Sequence, residues 1–445
     1  MFTTLKNAWN IPDLRKKLIF TALIMLLYRI GNVIPVPYVN AAAMSTYFDQ
    51  TLSNTILGLY NAMSGSAFSS ATVLALSIQP YINSSIIIQL LTIAIPALER
   101  LQKDGGEEGK KKLNMITRLT TVALGLLMGW AYYMMLTNGT TGLLTREADF
   151  LTAAVIILAF TAGSAVVMWL GEQITEHGIG NGISMILFAN IISRIPTSVN
   201  DLFLLFTNTE KAPTWWIGVV EVVLTVALMV LIVFVNDAER RIPVQYAKRV
   251  VGRKVYGGQN TNLPIKVSMT GVMPVIFASS IASLPATICA FGGWTKGWWY
   301  DNVFSANSWI YAVCYFLLIF FFSWFYASIQ YDPVEISNNL KKNGGFIPGF
   351  RPGKPTADFI KKVINKIVIF GAIYLGIVAL LPIISGNLIN GYVDGLFTSD
   401  HGVYAAVHGM AIGGTSAIIV VSVALETVKA LEAQMLMRHY KGFLD

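Results

Sequence analysis

Charge is scarce in this chain. Only 13% of its 445 residues are Asp, Glu, Lys or Arg, against roughly 25% in an ordinary soluble domain. Cysteine is scarcer still. Cys289 and Cys314 lie within or beside long apolar runs, with no CxxC and no Cys/His spacing. Neither a disulfide framework nor a zinc site is encoded, and both residues read as small buried hydrophobes. The four histidines, His177, His401, His408 and His439, fall in loops or at the ends of apolar runs. There is no HExxH. Gly105-Gly-Glu-Glu-Gly109-Lys110 falls short of a P-loop, because its glycines are too close and no Ser or Thr follows the lysine. Gly178-Ile-Gly-Asn-Gly182 follows no strand and lacks the dinucleotide spacing. Together these absences argue against a soluble enzyme, a disordered tail and a disulfide-rich secreted module. They imply no metal, no catalytic group and no cofactor.

Apolar length is abundant instead. Hydrophobic residues make up 54% of the chain, the mean hydropathy is +0.59, and the net charge is nevertheless +8. An apolar stretch of about 20 residues crosses the hydrocarbon core as a helix. Ten candidates follow: Leu18–Val36, Ala71–Leu98, Leu119–Leu136, Leu151–Leu170, Ile183–Phe206, Trp215–Val235, Val267–Phe291, Trp309–Ile329, Ile367–Ile384 and Met410–Leu431. Arg15, Lys16 and Lys17 precede the first run as in a signal peptide. That run is too long for an h-region and no A-x-A site follows, so it reads as a retained span. With the N-terminus inside, 27 of the 32 lysines and arginines fall on the cytoplasmic side. This bias predicts an even number of spans with both termini cytoplasmic. Two cytoplasmic loops, 237–266 and 331–366, are large and basic.

The spans are not alike. The second and seventh carry mid-span prolines, Pro80 and Pro274, which predict broken helices. The fifth and tenth start at glycine-rich turns, Gly178–Gly182 and Gly413-Gly414, and Arg194 with Pro196 cuts the fifth short. These irregularities pair up if the chain is two five-span halves, 1–210 and 211–445, of inverted topology. The alternative is that prolines are simply common in membrane helices. Residues 56–70, ILGLYNAMSGSAFSS, are apolar enough to enter a membrane but too short to cross it. They read as a re-entrant half-helix or as an interfacial amphipathic segment. Buried ionisable residues, the mark of a pump or transporter, are nearly missing from the span interiors. Arg29 and Arg194 lie toward the outer ends, where they can snorkel, and Glu221 and Glu426 lie near span ends. A secondary transporter with a midplane solute site is thus the weaker alternative to a conduit with an apolar lining.

Several motifs, in one order, carry a resemblance. Arg29-Ile-Gly with Ile34-Pro-Val-Pro37, Pro80-Tyr-Ile82 leading into Ser85–Leu91, and Trp169-Leu-Gly-Glu-Gln-Ile-Thr175 with Gly178-Ile-Gly-Asn-Gly-Ile-Ser184 come first. Arg240-Arg241 with Tyr246-Ala-Lys248, Asn339-Leu-Lys-Lys342, Pro348-Gly-Phe-Arg-Pro-Gly353 and Gly413-Gly-Thr-Ser416 follow. The chain resembles the SecY family of protein-conducting channels from about residue 10 to about residue 442. The resemblance implies an all-α polytopic membrane protein: a ten-span clamshell of two inverted halves with a re-entrant plug. It implies a lateral gate between spans two and three and spans seven and eight, with Pro80 and Pro274 as breaks in gate helices. A pore ring is expected at Ile78, Ile82, Ile183, Leu187, Ile276 and Ile419. The plug is expected at Met63, Ser64, Gly65, Ser66 and Phe68, with Met63 and Phe68 facing the ring. Two departures stand out: Ser66 and Ser77 occupy positions where the family usually has glycine. Leu187 replaces a usual isoleucine, a volume-conserving change. The outer loop from Gly386 to His408 is longer than typical.

The resemblance also implies partners. They are the small membrane subunits SecE and SecG, the SecA motor, the ribosome, signal peptides and nascent chains, and membrane lipid. The two basic loops are the expected docking sites, with Arg351, Arg240, Arg241, Lys248 and Arg249 as contacts. Arg351 leads because it sits in a Gly/Pro turn that presents its guanidinium, and clustered cations suit a phosphate-rich partner. The implied location is the plasma (inner) membrane.

Overall fold

Each of the ten apolar runs contains a helix. The computed structural model describes residues 2–49, 56–103, 105–138, 142–207, 215–246, 249–251, 254–256, 260–291, 303, 308–396 and 414–441. The first half contains α1 (Phe2–Asn10), α2 (Pro12–Gly31), α3 (Ala41–Tyr47), α4 (Ile56–Ser64), α5 (Gln79–Ala94), α6 (Pro96–Lys103), α7 (Gly106–Asn138), α8 (Phe150–His177), α9 (Gly182–Ile192) and α10 (Ile195–Thr207). Next come α11 (Trp215–Asp237), strands β1 (Glu239–Tyr246), β2 (Arg249–Val251), β3 (Lys254–Tyr256) and β4 (Asn260–Lys266), then α12 (Met273–Phe291) and α13 (Trp309–Gln330). The chain ends with α14 (Pro333–Lys342), β5 (Gly345–Phe346), α15 (Lys354–Leu396) and α16 (Gly414–Lys441). Among the described residues, six helices are long and apolar enough to cross a membrane alone, or seven if the bent pair α5–α6 is one span.

Starts are written locally. Asp149, Asn181, Ser308 and Asp332 each cap a helix, their side chains accepting from the first backbone N–H groups. The fifth span stops at Ile192 and resumes at Ile195, where Arg194 and Pro196 interrupt it. Lipid-facing rods stay apolar outward: α11 exposes Val220, Val223, Val226, Val230 and Phe234. Cys314 is exposed and Cys289 intermediate, so neither is a fully buried hydrophobe.

The proline expectation is corrected. Pro80 and Pro274 break nothing: each is the second residue of its helix. There the missing N–H would lack an intrahelical partner anyway, and the fixed φ suits helix entry. Both spans therefore start late. Residues 65–78 run as successive turns before α5, and 268–272 do the same before α12. The sharp bend of the second span lies lower, where α5 meets α6 at Pro96 with an angle of 107°. The proline inside α12 is Pro285. The turn segment 65–78 is almost wholly buried, as irregular backbone at membrane depth must be. Its amides are met locally and by Ile34, whose carbonyl accepts from Val73 N–H at 2.9 Å, while Val36 N–H donates to Ala71 O at 3.0 Å. A side chain at Gly163 of α8 would fall on the Val73 carbonyl, so only glycine lets α8 back this segment.

The two large basic loops form a folded unit that adds a small sheet to the otherwise helical chain. β1 pairs antiparallel with β4 and with β5, in the order β4-β1-β5. Ile242, Val244, Ile265, Leu340, Ile347 and Ile360 share one apolar cluster. The eighth-to-ninth loop thus closes over the sixth-to-seventh. The expected long outer loop is shortened, since α15 continues to Leu396; the rest of it lies outside the described residues, as does Gly413.

Candidate functional site

The site is built where α4, the turn segment after it, and helices α2, α5, α9, α12 and α16 converge. Ile78 and Ile82, like Ile183 and Leu187, are four residues apart, a spacing that puts each pair on one helical face. Ile78, Ile82, Leu187, Ile276 and Ile419 are each at most 3% exposed and share one apolar cluster. Ile183 is partly buried against it, and Met63 of α4 joins it. Phe68 does not. It belongs to a separate cluster with Phe48, Tyr60 and Tyr132, at centroid distances of 5.9, 5.2 and 4.8 Å. Its aromatic face prefers edge-on partners, and the C-cap of α3 with α4 and α7 supply them, so the expectation that Phe68 faces the ring is corrected.

Residues 56–70 enter as a half-helix and turn back, and polar contacts hold the turn. Ser64 Oγ accepts from Phe68 N–H at 3.2 Å, and Asn61 Oδ1 accepts from Ser69 N–H at 3.0 Å. Tyr132 Oη donates to Phe68 O at 2.7 Å. The last carbonyls of a helix have no partner within it. Here side chains from elsewhere supply donors: Asn190 Nδ2 to Met63 O at 2.8 Å, Asn32 Nδ2 to Ser64 O at 3.4 Å, and Arg29 Nη1 to Gly65 O at 3.4 Å. Arg29 is therefore aimed at this turn and does not merely snorkel. A cation beside a helix C-terminus is also favourable through the macrodipole. Asn190 Nδ2 additionally lies 2.9 Å from Tyr28 Oη and 3.3 Å from Ser77 Oγ. Among the described residues, Asn190 Oδ1 and Asn32 Oδ1 are buried without a partner.

Backbone strain collects here. Gly65, Ser66 and Ser77 have φ of +67°, +69° and +49°. A Cβ at Gly65 would come within 2.9 Å of Arg29 Nη1 and 3.0 Å of Asn190 Oδ1. Ser66 is exposed and Ser77 buried. Both sit in the left-handed region that favours glycine, which gives the two glycine departures a geometric meaning.

Between half-helix and ring, a void of about 10 Å³ is lined by Tyr60, Met63, Ser64, Ser77, Gln79 and Leu187. That is room for one water at most. A seam runs alongside. α12 packs against α4, α5 and α7, and Gln79 Nε2 donates to Ser280 Oγ across it at 3.3 Å. Ser84 Oγ ties α5 to Thr117 O of α7 at 2.8 Å. Phe277 meets Phe322 and Tyr326 of α13 at 6.1 and 5.9 Å.

Of the expected docking residues, Arg351 is exposed in a turn that is firmly held. Thr356 Oγ1 donates to its carbonyl at 2.7 Å, Ser337 Oγ donates to Gly353 O at 2.8 Å, and Phe350 stacks on Phe359 at 4.2 Å. Arg240 and Arg241 are exposed on β1, and Arg241 Nε pairs with Glu239 Oε1 at 2.6 Å. Arg249 starts β2; Lys248 lies outside the described residues. Sequence reasoning missed Asn190, Asn32 and Tyr28. The signal was present as polar side chains within apolar spans, but a search confined to ionisable groups passes over amides and phenols.

A family model described as SecY matches residues 72–428. The protein translocase subunit SecY of Streptomyces scabiei is 41% identical over 455 residues, covering 100% of each chain. The same-named protein of Thermotoga maritima is 39% identical over 449 residues, covering 100% of this chain and 98% of that one. Among solved structures, one described as a protein conducting channel superposes with a TM-score of 0.64 at 18% identity, covering 94% of this chain and 92% of that one. The canine Sec61 in a ribosome-channel complex gives 0.61 at 17% identity with the same coverage. These structural likenesses establish a shared fold.

Proposed function

The chain belongs to the SecY family, and we propose that it is the pore subunit of a protein-conducting channel in the plasma (inner) membrane. Unfolded secretory chains pass through the ring of Ile78, Ile82, Ile183, Leu187, Ile276 and Ile419. Transmembrane segments leave sideways through the α5/α7–α12 seam, because lipid suits their apolar surface better than an aqueous pore does. The observation that carries this reading is the aliphatic cluster with a buried half-helix packed against it, and a void of about 10 Å³ at their junction. An apolar constriction dewets and blocks ions, yet has no charge preference for the chain it admits. The role is conduction and not catalysis. A motor such as SecA or a ribosome supplies the drive and docks on the unit carrying Arg351, Arg240, Arg241, Lys248 and Arg249; SecE and SecG complete the channel. Both termini are cytoplasmic, an orientation supported by the one-sided lysines and arginines. The halves 1–210 and 211–445 are inverted repeats, which the matched late starts of α5 and α12 support.

Photo-crosslinkers at Ile82 and Ile276 test the pore. A stalled secretory chain is expected to be captured at both; capture only at lipid-facing control positions refutes the assignment. Ile82→Ser with Ile276→Ser is expected to raise the resting ion conductance of proteoliposomes.

A further inference from the structure

We infer that Arg29, Asn32 and Asn190 form a latch that holds the plug shut and releases it at low cost. The inference rests on reading residues 56–70 as the plug. Three consecutive carbonyls at and just past the end of α4, those of Met63, Ser64 and Gly65, face three side-chain donors: Arg29 of α2, its C-cap Asn32, and Asn190 of α9. Nothing within α4 itself could satisfy them. The socket is shaped around a glycine: any side chain at Gly65 meets Arg29, Asn190 and Ser193.

Asn190 also explains release. Its side-chain amide has two N–H groups, and three acceptors lie within reach: Met63 O, Tyr28 Oη and Ser77 Oγ. When the plug leaves, Tyr28 and Ser77, 3.1 Å from one another, stay as acceptors on one side of the amide, and the N–H released by Met63 O turns to water entering the socket. With water in the vacated socket no donor is stranded, so the large penalty for an unmet polar group is avoided. Arg29 is only partly buried and rehydrates. The amide oxygens of Asn32 and Asn190, buried and unpartnered while the plug is in place, gain water once the socket is vacated. That gain works in the direction of opening. Ser77 directly precedes Ile78, so the same amide ties the plug to the ring.

The test uses the full chain in proteoliposomes, with Cys289 and Cys314 replaced by alanine. Spin labels are placed at exposed Ser66 and at lipid-facing Leu158 on α8, and resting conductance is recorded in parallel. Asn190→Ala is expected to add a displaced population, roughly fivefold larger than in the parent, as loss of one net hydrogen bond of this kind gives. Asn190→Asp, which turns an acceptor toward the Met63 carbonyl, is expected to displace the plug further. Arg29→Gln is the milder variant should the α9 substitutions prevent folding. Unchanged label distances in Arg29→Gln and in every α9 variant that folds overturn the latch. Displaced labels with unchanged conductance uphold the latch and count against the plug reading.

Discussion

Ser66 and Ser77 present the same local strain with opposite consequences, and alanine and glycine substitutions separate them. A left-handed backbone costs a residue with a Cβ about 1–2 kcal/mol, part of which glycine returns through its freer unfolded chain. Ser66 is exposed and its hydroxyl makes no hydrogen bond among the described residues. Ser66→Gly should therefore stabilise the plug turn by about 1 kcal/mol and Ser66→Ala should change little. Ser77 is buried, and its Oγ meets Tyr28 Oη at 3.1 Å and Asn190 Nδ2 at 3.3 Å. Each bond contributes about 1 kcal/mol net. Ser77→Ala loses both and keeps the strain, a cost of about 2 kcal/mol; Ser77→Gly loses both but relieves strain, a cost of about 1 kcal/mol. The order of stability is then Gly above Ser and Ala at position 66, but Ser above Gly above Ala at position 77. Amide hydrogen exchange in detergent reads this locally. The Phe68 and Ser69 amides should exchange about fivefold more slowly in Ser66→Gly. The same rank order at both positions would refute the reasoning.

Two further outcomes follow from single contacts. Tyr132→Phe keeps the stacking partners of Phe68 but leaves the Phe68 carbonyl without its 2.7 Å donor. The carbonyl keeps the Ala71 N–H at 3.2 Å, so thermal unfolding in detergent should register a loss of about 1 kcal/mol, and an unchanged midpoint would argue that the bond is idle. Arg351→Ala should leave stability unchanged, since only the backbone carbonyl of Arg351 is bonded in the turn. Partner affinity should nevertheless fall about fivefold or more, as for an interface anchor; equal affinity would remove Arg351 from the docking surface.

Much of this molecule was legible along the chain because its determinants are local. Apolar runs, capping residues such as Asn181 and Ser308, and the i, i+4 placement of Ile183 and Leu187 need only near neighbours. The sidedness of the lysines and arginines needs only their order. What was misjudged depended on distance. Pro80 and Pro274 read as breaks within spans; the turn segments that precede them, 65–78 before α5 and 268–272 before α12, make them starts. Phe68 reads as a plug residue either way, and its partners Phe48 and Tyr132 decide which cluster it joins.

The sequence by itself determined a polytopic helical membrane protein and where its apolar runs lie, since hydrophobic length acts through the bilayer without reference to tertiary contacts. Only the tertiary structure decided where α5 and α12 begin, that the two basic loops share a sheet, and that Asn190 reaches a carbonyl 127 residues away. Hydrogen bonds of a few ångströms between remote segments leave no periodic trace in a chain, so their partners emerge only once the helices are packed.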